Sequence, residues 1–153
     1  MFFPVGVSSP KKLFLFLGFL AILGASIISY RPILKDKRLA SALAMGHLAS
    51  LPASARTVQV DTEGNLFARS FWVTFTAPVA DIQQWVKQSP TLANNQPTAC
   101  AHPVLFGEQP SWFNLADIRN GLMYQVSQDK EAIYGTVWID PGRQIVYIKI
   151  SYS

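Results

Sequence analysis

The chain has a single cysteine, Cys100, in 153 residues, so no intramolecular disulfide staples it. A body of this length buries a sufficient core without one, and Cys100 reads as a small buried hydrophobe or as an odd thiol able to pair between chains. Histidine is nearly as scarce, with His47 and His102 alone. Cys100 and His102 are two ligands where structural zinc needs four, and His47 is far away in sequence. The sequence also lacks G-x-S-x-G, a Walker loop, a dinucleotide fingerprint, H-E-x-x-H and EF-hand spacing. No internal repeat or low-complexity tract occurs. No cofactor or metal is therefore expected, and the reading leans away from an enzyme. Basic charge is missing from most of the chain despite a formal net charge of +4. Residues 1–38 hold Lys11, Lys12, Arg31, Lys35, Lys37 and Arg38 against Asp36; residues 39–153 hold seven Lys/Arg against eight Asp/Glu, a net of −1. A body so close to neutral has no electrostatic footprint for a phosphate backbone, which excludes nucleic acid as the expected partner.

What is present is a long uncharged run. Residues 13–30, LFLFLGFLAILGASIISY, are 18 residues without a charge. At about 1.5 Å per helical residue they span roughly 27 Å, close to the roughly 30 Å hydrocarbon core of a bilayer. A buried soluble helix is rarely apolar on every face. The rival is a cleavable signal peptide, since Gly24, Ala25 and Ser26 follow an apolar run with a charged start. Against cleavage, the run continues through Ile27 and Ile28 and lacks A-x-A. We read residues 1–12 as a tail, 13–30 as a transmembrane anchor inserted in the lipid bilayer, and 31–54 as a linker and membrane-proximal helix. Residues 55–153 are the globular domain. Two basic residues precede the run and four follow it, which favours a cytoplasmic C-terminal side. The short tail favours the opposite, a signal-anchor with an exported body, and that orientation is the one adopted. Gly18, Ala21, Ala25 and Ser29 share one helical face, a small-residue spacing that permits helix packing against a second membrane segment.

The body reads as α+β. Residues 36–51 carry helical periodicity through Leu39, Ala42, Leu43 and Gly46, with Asp36 as N-cap and Pro52 as terminator. A short strand is predicted at 57–60, a turn at 63–65, and an alternating strand at 66–76. In that strand Phe67, Arg69, Phe71, Val73 and Phe75 share one face and Trp72 lies on the other. Pro78 opens a helix whose stripe is Val79, Ile82, Trp85 and Val86, closed by Ser89-Pro90. Residues 90–120 form a long Pro-punctuated loop relieved by one helical turn near 111–118. The C-terminus reads as a strand at 122–126 and a hairpin of 132–139 and 144–152 across Asp140-Pro141-Gly142-Arg143. The predicted architecture is an antiparallel sheet of four to five strands with one packed helix, preceded by the transmembrane helix.

Three chemical constellations deserve weighing. Cys100 and His102 would need spatial contact and an orienting group to act as nucleophile and base. Asp61, Glu63, Asp81, Glu108, Asp117, Asp129, Glu131 and Asp140 all have readings as caps, turn formers or solvated charges. The aromatic set is richer: Trp72, Trp112, Phe113, Tyr124, Tyr134 and Trp138. One reading folds the 90–120 loop over the sheet and buries these rings as a second small core. The other makes Trp72, Trp112, Phe113, Tyr134 and Trp138 a binding face for a peptide, glycan or protein, in which case Trp112→Ala with Phe113→Ala should spare the fold.

The stretches LPASARTV at 51–58, FARSFWVTFTAPVADIQQWVKQSP at 67–90 and GTVWIDPGRQIVYIKIS at 135–151 together resemble small exported or membrane-anchored bacterial proteins of unknown function. The resemblance implies a bacterial envelope setting and no particular chemistry. The functional expectation is an anchored extracytoplasmic, periplasmic-side domain that binds a protein or envelope component. The alternatives are a small hydrolase using loop carboxylates or Cys100 with His102, or an accessory subunit of a membrane complex.

Overall fold

The computed structural model describes residues 34–105, 107–128 and 131–153. The expected anchor at 13–30, with Gly18, Ala21, Ala25 and Ser29, lies outside them. No helix among the described residues is long and apolar enough to cross a membrane.

Lys35–Ser153 forms one compact unit, built on a six-stranded antiparallel sheet of order β1-β2-β6-β5-β4-β3. The strands are β1 (Arg56–Gly64), β2 (Arg69–Thr76), β3 (Thr98–Cys100), β4 (Gly121–Gln128), β5 (Ile133–Asp140) and β6 (Ile145–Tyr152). The helices are α1 (residues 34–45), α2 (Val79–Gln88) and the single turn α3 (Pro90–Ala93). The α+β class and antiparallel sheet agree with the sequence reading, whereas the strand count rises to six. The additional strand, β3, is only three residues long and pairs Thr98, Ala99 and Cys100 with β4 inside the Pro-rich loop. So short a segment shows no periodicity.

Alternation gives the sheet two apolar faces. On the inner face, Phe71, Val73 and Phe75 of β2 stand beside Ile150, Ile148 and Val146 of β6, and all six are buried with Val137, Ile139 and Val126. The α2 stripe closes over them, with Trp85 edge-on to Phe75 at 5.3 Å. Its indole N–H donates to the Ala49 carbonyl at 3.0 Å.

The helix expected to be membrane-proximal packs into this core, and it lies in the same compact unit, Lys35–Ser153, as the sheet. Ala42 and Leu43 are buried. The helix stops at residue 45, well before Pro52, because His47 adopts φ 47°. Its N–H bonds the Ala44 carbonyl at 3.1 Å and that of Leu48 bonds Leu43 at 2.8 Å, the paired bonds of a Schellman cap. Side chains from elsewhere satisfy the next carbonyls: Gln128 donates to Met45 and Thr91 to Gly46. Ser89 Oγ accepts the Ala49 N–H at 3.0 Å and donates to the Trp85 carbonyl at 2.8 Å.

One residue expected on the face shared by Phe71, Val73 and Phe75, Phe67, lies outside the core and is exposed. The β1–β2 ladder continues to Gly64 opposite Arg69, so the turn is Asn65 to Ala68 and not 63–65. Asn65 Oδ1 accepts the N–H groups of Phe67 and Ala68 at 2.8 and 3.1 Å. The local hydrogen bonds of an Asx turn thus override the alternation that aligned Phe67 with Phe71.

Candidate functional site

On the outer face the ladder sets side chains in rows across the strands. One row is Thr74, Tyr147, Trp138 and Met123; the next is Trp72, Lys149, Thr136 and Gln125; the third is Ser70, Ser151, Tyr134 and Ser127. The composition changes from aromatic to hydroxyl and amide along this direction.

The aromatic end is sealed by the loop between β3 and β4. Phe113 is fully buried, with its ring centroid 4.9 Å from Trp72, 5.2 Å from Tyr147 and 6.1 Å from Trp138, each edge-on. Leu115 and Ile118 complete this second core, with Trp112 partly buried against it. Phe113 N–H to Pro110 and Ile118 N–H to Leu115 make tight turns in place of the expected helical turn. Of the five rings proposed as a binding face, Trp72, Phe113 and Trp138 are therefore core and Trp112 is half-covered. Tyr134 remains 51% exposed.

The polar end stays open. It holds a groove of about 350 Å³ whose walls include Tyr134, Thr136, Trp138, Lys149, Ser151 and Leu105. Lys149 Nζ sits 4.5 Å from the Trp72 ring centroid, a cation–π contact that holds the ammonium at the groove's margin. Ser70 and Ser151 hydroxyls lie 2.8 Å apart, and Thr136 donates to Gln125 Oε1 at 3.3 Å. Beneath them the indole N–H groups of Trp72 and Trp138 are buried with no acceptor among the described residues, an arrangement that costs about 1–3 kcal/mol per group. The sequence placed Tyr134 and Trp138 here. It gave no prominence to Thr136, Gln125 and Ser151, whose only signal was their alternate positions in predicted strands.

A second concavity, of about 510 Å³, lies at the opposite end of the sheet among His102, Asp117, Arg119, Asn120, Asp140 and Arg143. Arg143 pairs with Asp117 at 3.6 Å and its backbone N–H donates to Asp140 Oδ1 at 3.1 Å. Below it, burial raises the Tyr147 phenol above its ordinary value, partly offset by the charge of Arg143, while Asp117 and Asp140 add to the rise. The fold thus brings a loop carboxylate, Asp117, the strand-end carboxylate Asp140 and His102 to one cleft. Cys100 lines a neighbouring depression with Arg119, Asn120 and Gly121. Burial raises the thiol, and the Asp140 charge raises it further, a shift opposite in direction to that which activates a thiolate nucleophile. The His102 Nδ1–H donates to the Ala116 carbonyl at 2.7 Å. Among the described residues no group of three His, Cys, Asp or Glu side chains is placed to hold a metal ion.

Comparison with protein families, characterised proteins and solved structures finds no match to this chain.

Proposed function

We propose that this chain is a single-pass membrane protein, anchored through residues 13–30, whose exported body binds a protein or an envelope component without catalysing a reaction. The observation that carries the reading is the division of the outer sheet face. Its aromatic half is covered by the chain itself, whereas the adjoining half presents Tyr134, Thr136, Gln125, Lys149 and Ser151 around an open groove. A ring beside hydroxyls, an amide and one cation suits an extended, polar ligand such as a peptide or glycan strand. The resemblance to exported bacterial proteins agrees with an envelope ligand.

The test is affinity capture of the full-length protein from mildly crosslinked membranes, beside a Tyr134→Ala, Thr136→Arg variant. A stoichiometric partner lost in the variant supports the reading; equal capture by both proteins refutes it. The hydrolase alternative draws on one observation, the convergence of Asp117, Asp140 and His102 on a cleft. Turnover of ester or amide substrates that disappears in both Asp117→Asn and Asp140→Asn would replace the binding reading.

A further inference from the structure

Among the described residues large exposed apolar side chains are few, and two of them stand side by side. Leu66 is 79% exposed and Phe67 82%, at the tip of the β1–β2 hairpin. They are held there by built structure. Asn65 Oδ1 accepts the N–H groups of Phe67 and Ala68, its own N–H donates to the Ala68 carbonyl at 2.8 Å, and the Tyr152 hydroxyl reaches the Leu66 carbonyl. Gly64, at φ 111°, makes the entry to the tip, and a Cβ there would fall 2.2 Å from the Ala68 carbonyl oxygen. A turn that needs no apolar side chains for its own geometry thus presents two of them, fully formed, to the exterior.

The same edge strand receives the start of the body. Lys35 donates to the Val58 carbonyl and Arg38 pairs with Asp61 at 3.6 Å. Six residue steps along β1 lead from Val58 to Gly64, roughly 20 Å at the rise of an extended strand. Only four residues, 31–34, separate Lys35 from the uncharged run, so the chain path from that run to Lys35 is at most about 18 Å even when fully extended. The sequence sets Arg31, Lys35, Lys37 and Arg38 within eight residues of that run, and basic residues at a membrane surface draw anionic headgroups.

We infer that the Leu66-Phe67 tip is a second membrane contact, entering the headgroup and upper acyl region of the bilayer that holds residues 13–30. This rests on the anchored reading of that segment. With two attachment points the body is fixed in orientation over the bilayer and does not swing on its linker.

The test uses the full chain in vesicles of phosphatidylcholine and phosphatidylglycerol. Nitroxide labels are placed singly at Phe67→Cys, Ile22→Cys and Gln84→Cys in a Cys100→Ala background, and collisions with lipid-soluble oxygen are compared with those of a water-soluble nickel chelate. The oxygen-to-nickel ratio at residue 67 should match that at residue 22 in sign and exceed that at the exposed helix position 84 several-fold. If residue 22 reports lipid while residue 67 reports water, the tip contact is overturned and the anchor stands. If residue 22 reports water, the anchor reading falls, and the signal at residue 67 still supports or refutes a lipid contact by itself. Shielding of residue 67 from both reagents means that protein covers it, as in self-association, and overturns the proposal. Leu66→Cys repeats the measurement should the Phe67 variant fail to fold.

Discussion

The two faces of the sheet bury comparable aromatic residues by different means. Helices α1, α2 and α3 cover the inner face, and their polar groups are satisfied: the Trp85 indole has Ala49, and Ser89 both gives and accepts. An irregular loop covers part of the outer face, around Phe113, and leaves the Trp72 and Trp138 indoles without acceptors among the described residues. A helix supplies a regular apolar stripe and keeps its own backbone bonded. A loop must satisfy its backbone turn by turn, so it seals less area and tolerates unmet donors. The open groove begins where that cover ends.

The largest expected effect concerns whether the loop is core. Phe75→Ala and Phe113→Ala should each cost about 3–5 kcal/mol in chemical denaturation, since both rings are fully buried. A cost near zero at Phe113 would mean that the loop only rests on the sheet, and would restore Trp112 and Phe113 to a binding face. Next is the difference in polar satisfaction. Trp85→Phe removes a made hydrogen bond and strands the Ala49 carbonyl, whereas Trp138→Phe removes an unmet donor. The first should cost about 1–3 kcal/mol more than the second, and equal costs would show that Trp138 has an acceptor in solution.

A smaller effect is expected with pH. The raised thiol of Cys100 and phenol of Tyr147 are acids whose neutral forms the fold favours. Their contribution is fully present below the ordinary values of 9.0 and 10.0 and is lost as pH rises through the raised ones. Midpoints should therefore fall above pH 9 more steeply in the natural protein than in Cys100→Ala with Tyr147→Phe; parallel curves would contradict this. Smallest of all, Arg38→Ala and Arg143→Ala should change stability by about 0–1 kcal/mol through their ion pairs, because each joins half-exposed side chains.

The inner face was legible because it is periodic. The stripe Val79, Ile82, Trp85, Val86 and the alternation of Phe71, Val73 and Phe75 each report one side of a regular element. Legibility failed where non-periodic contacts decide. Asn65 moved the turn and turned Phe67 outward, and His47 at positive φ ended α1 six residues early. The Phe113 plug sits in a segment with no period, so its burial was one of two readings open from sequence. The groove was half legible, with Tyr134 and Trp138 found as aromatics. Thr136, Gln125 and Ser151 come together only through the register of β4, β5 and β6.

The measurement that most directly tests the open half of the outer face as the binding surface is site-specific photocrosslinking in native membranes. A benzophenone side chain is introduced at Tyr134, or at Gln84 on the exposed side of α2, in the full-length protein. A discrete adduct from position 134, absent from position 84 and abolished by Thr136→Arg, is the expected result. Adducts from position 84 alone, or from neither position while the protein is folded and in the membrane, would contradict it.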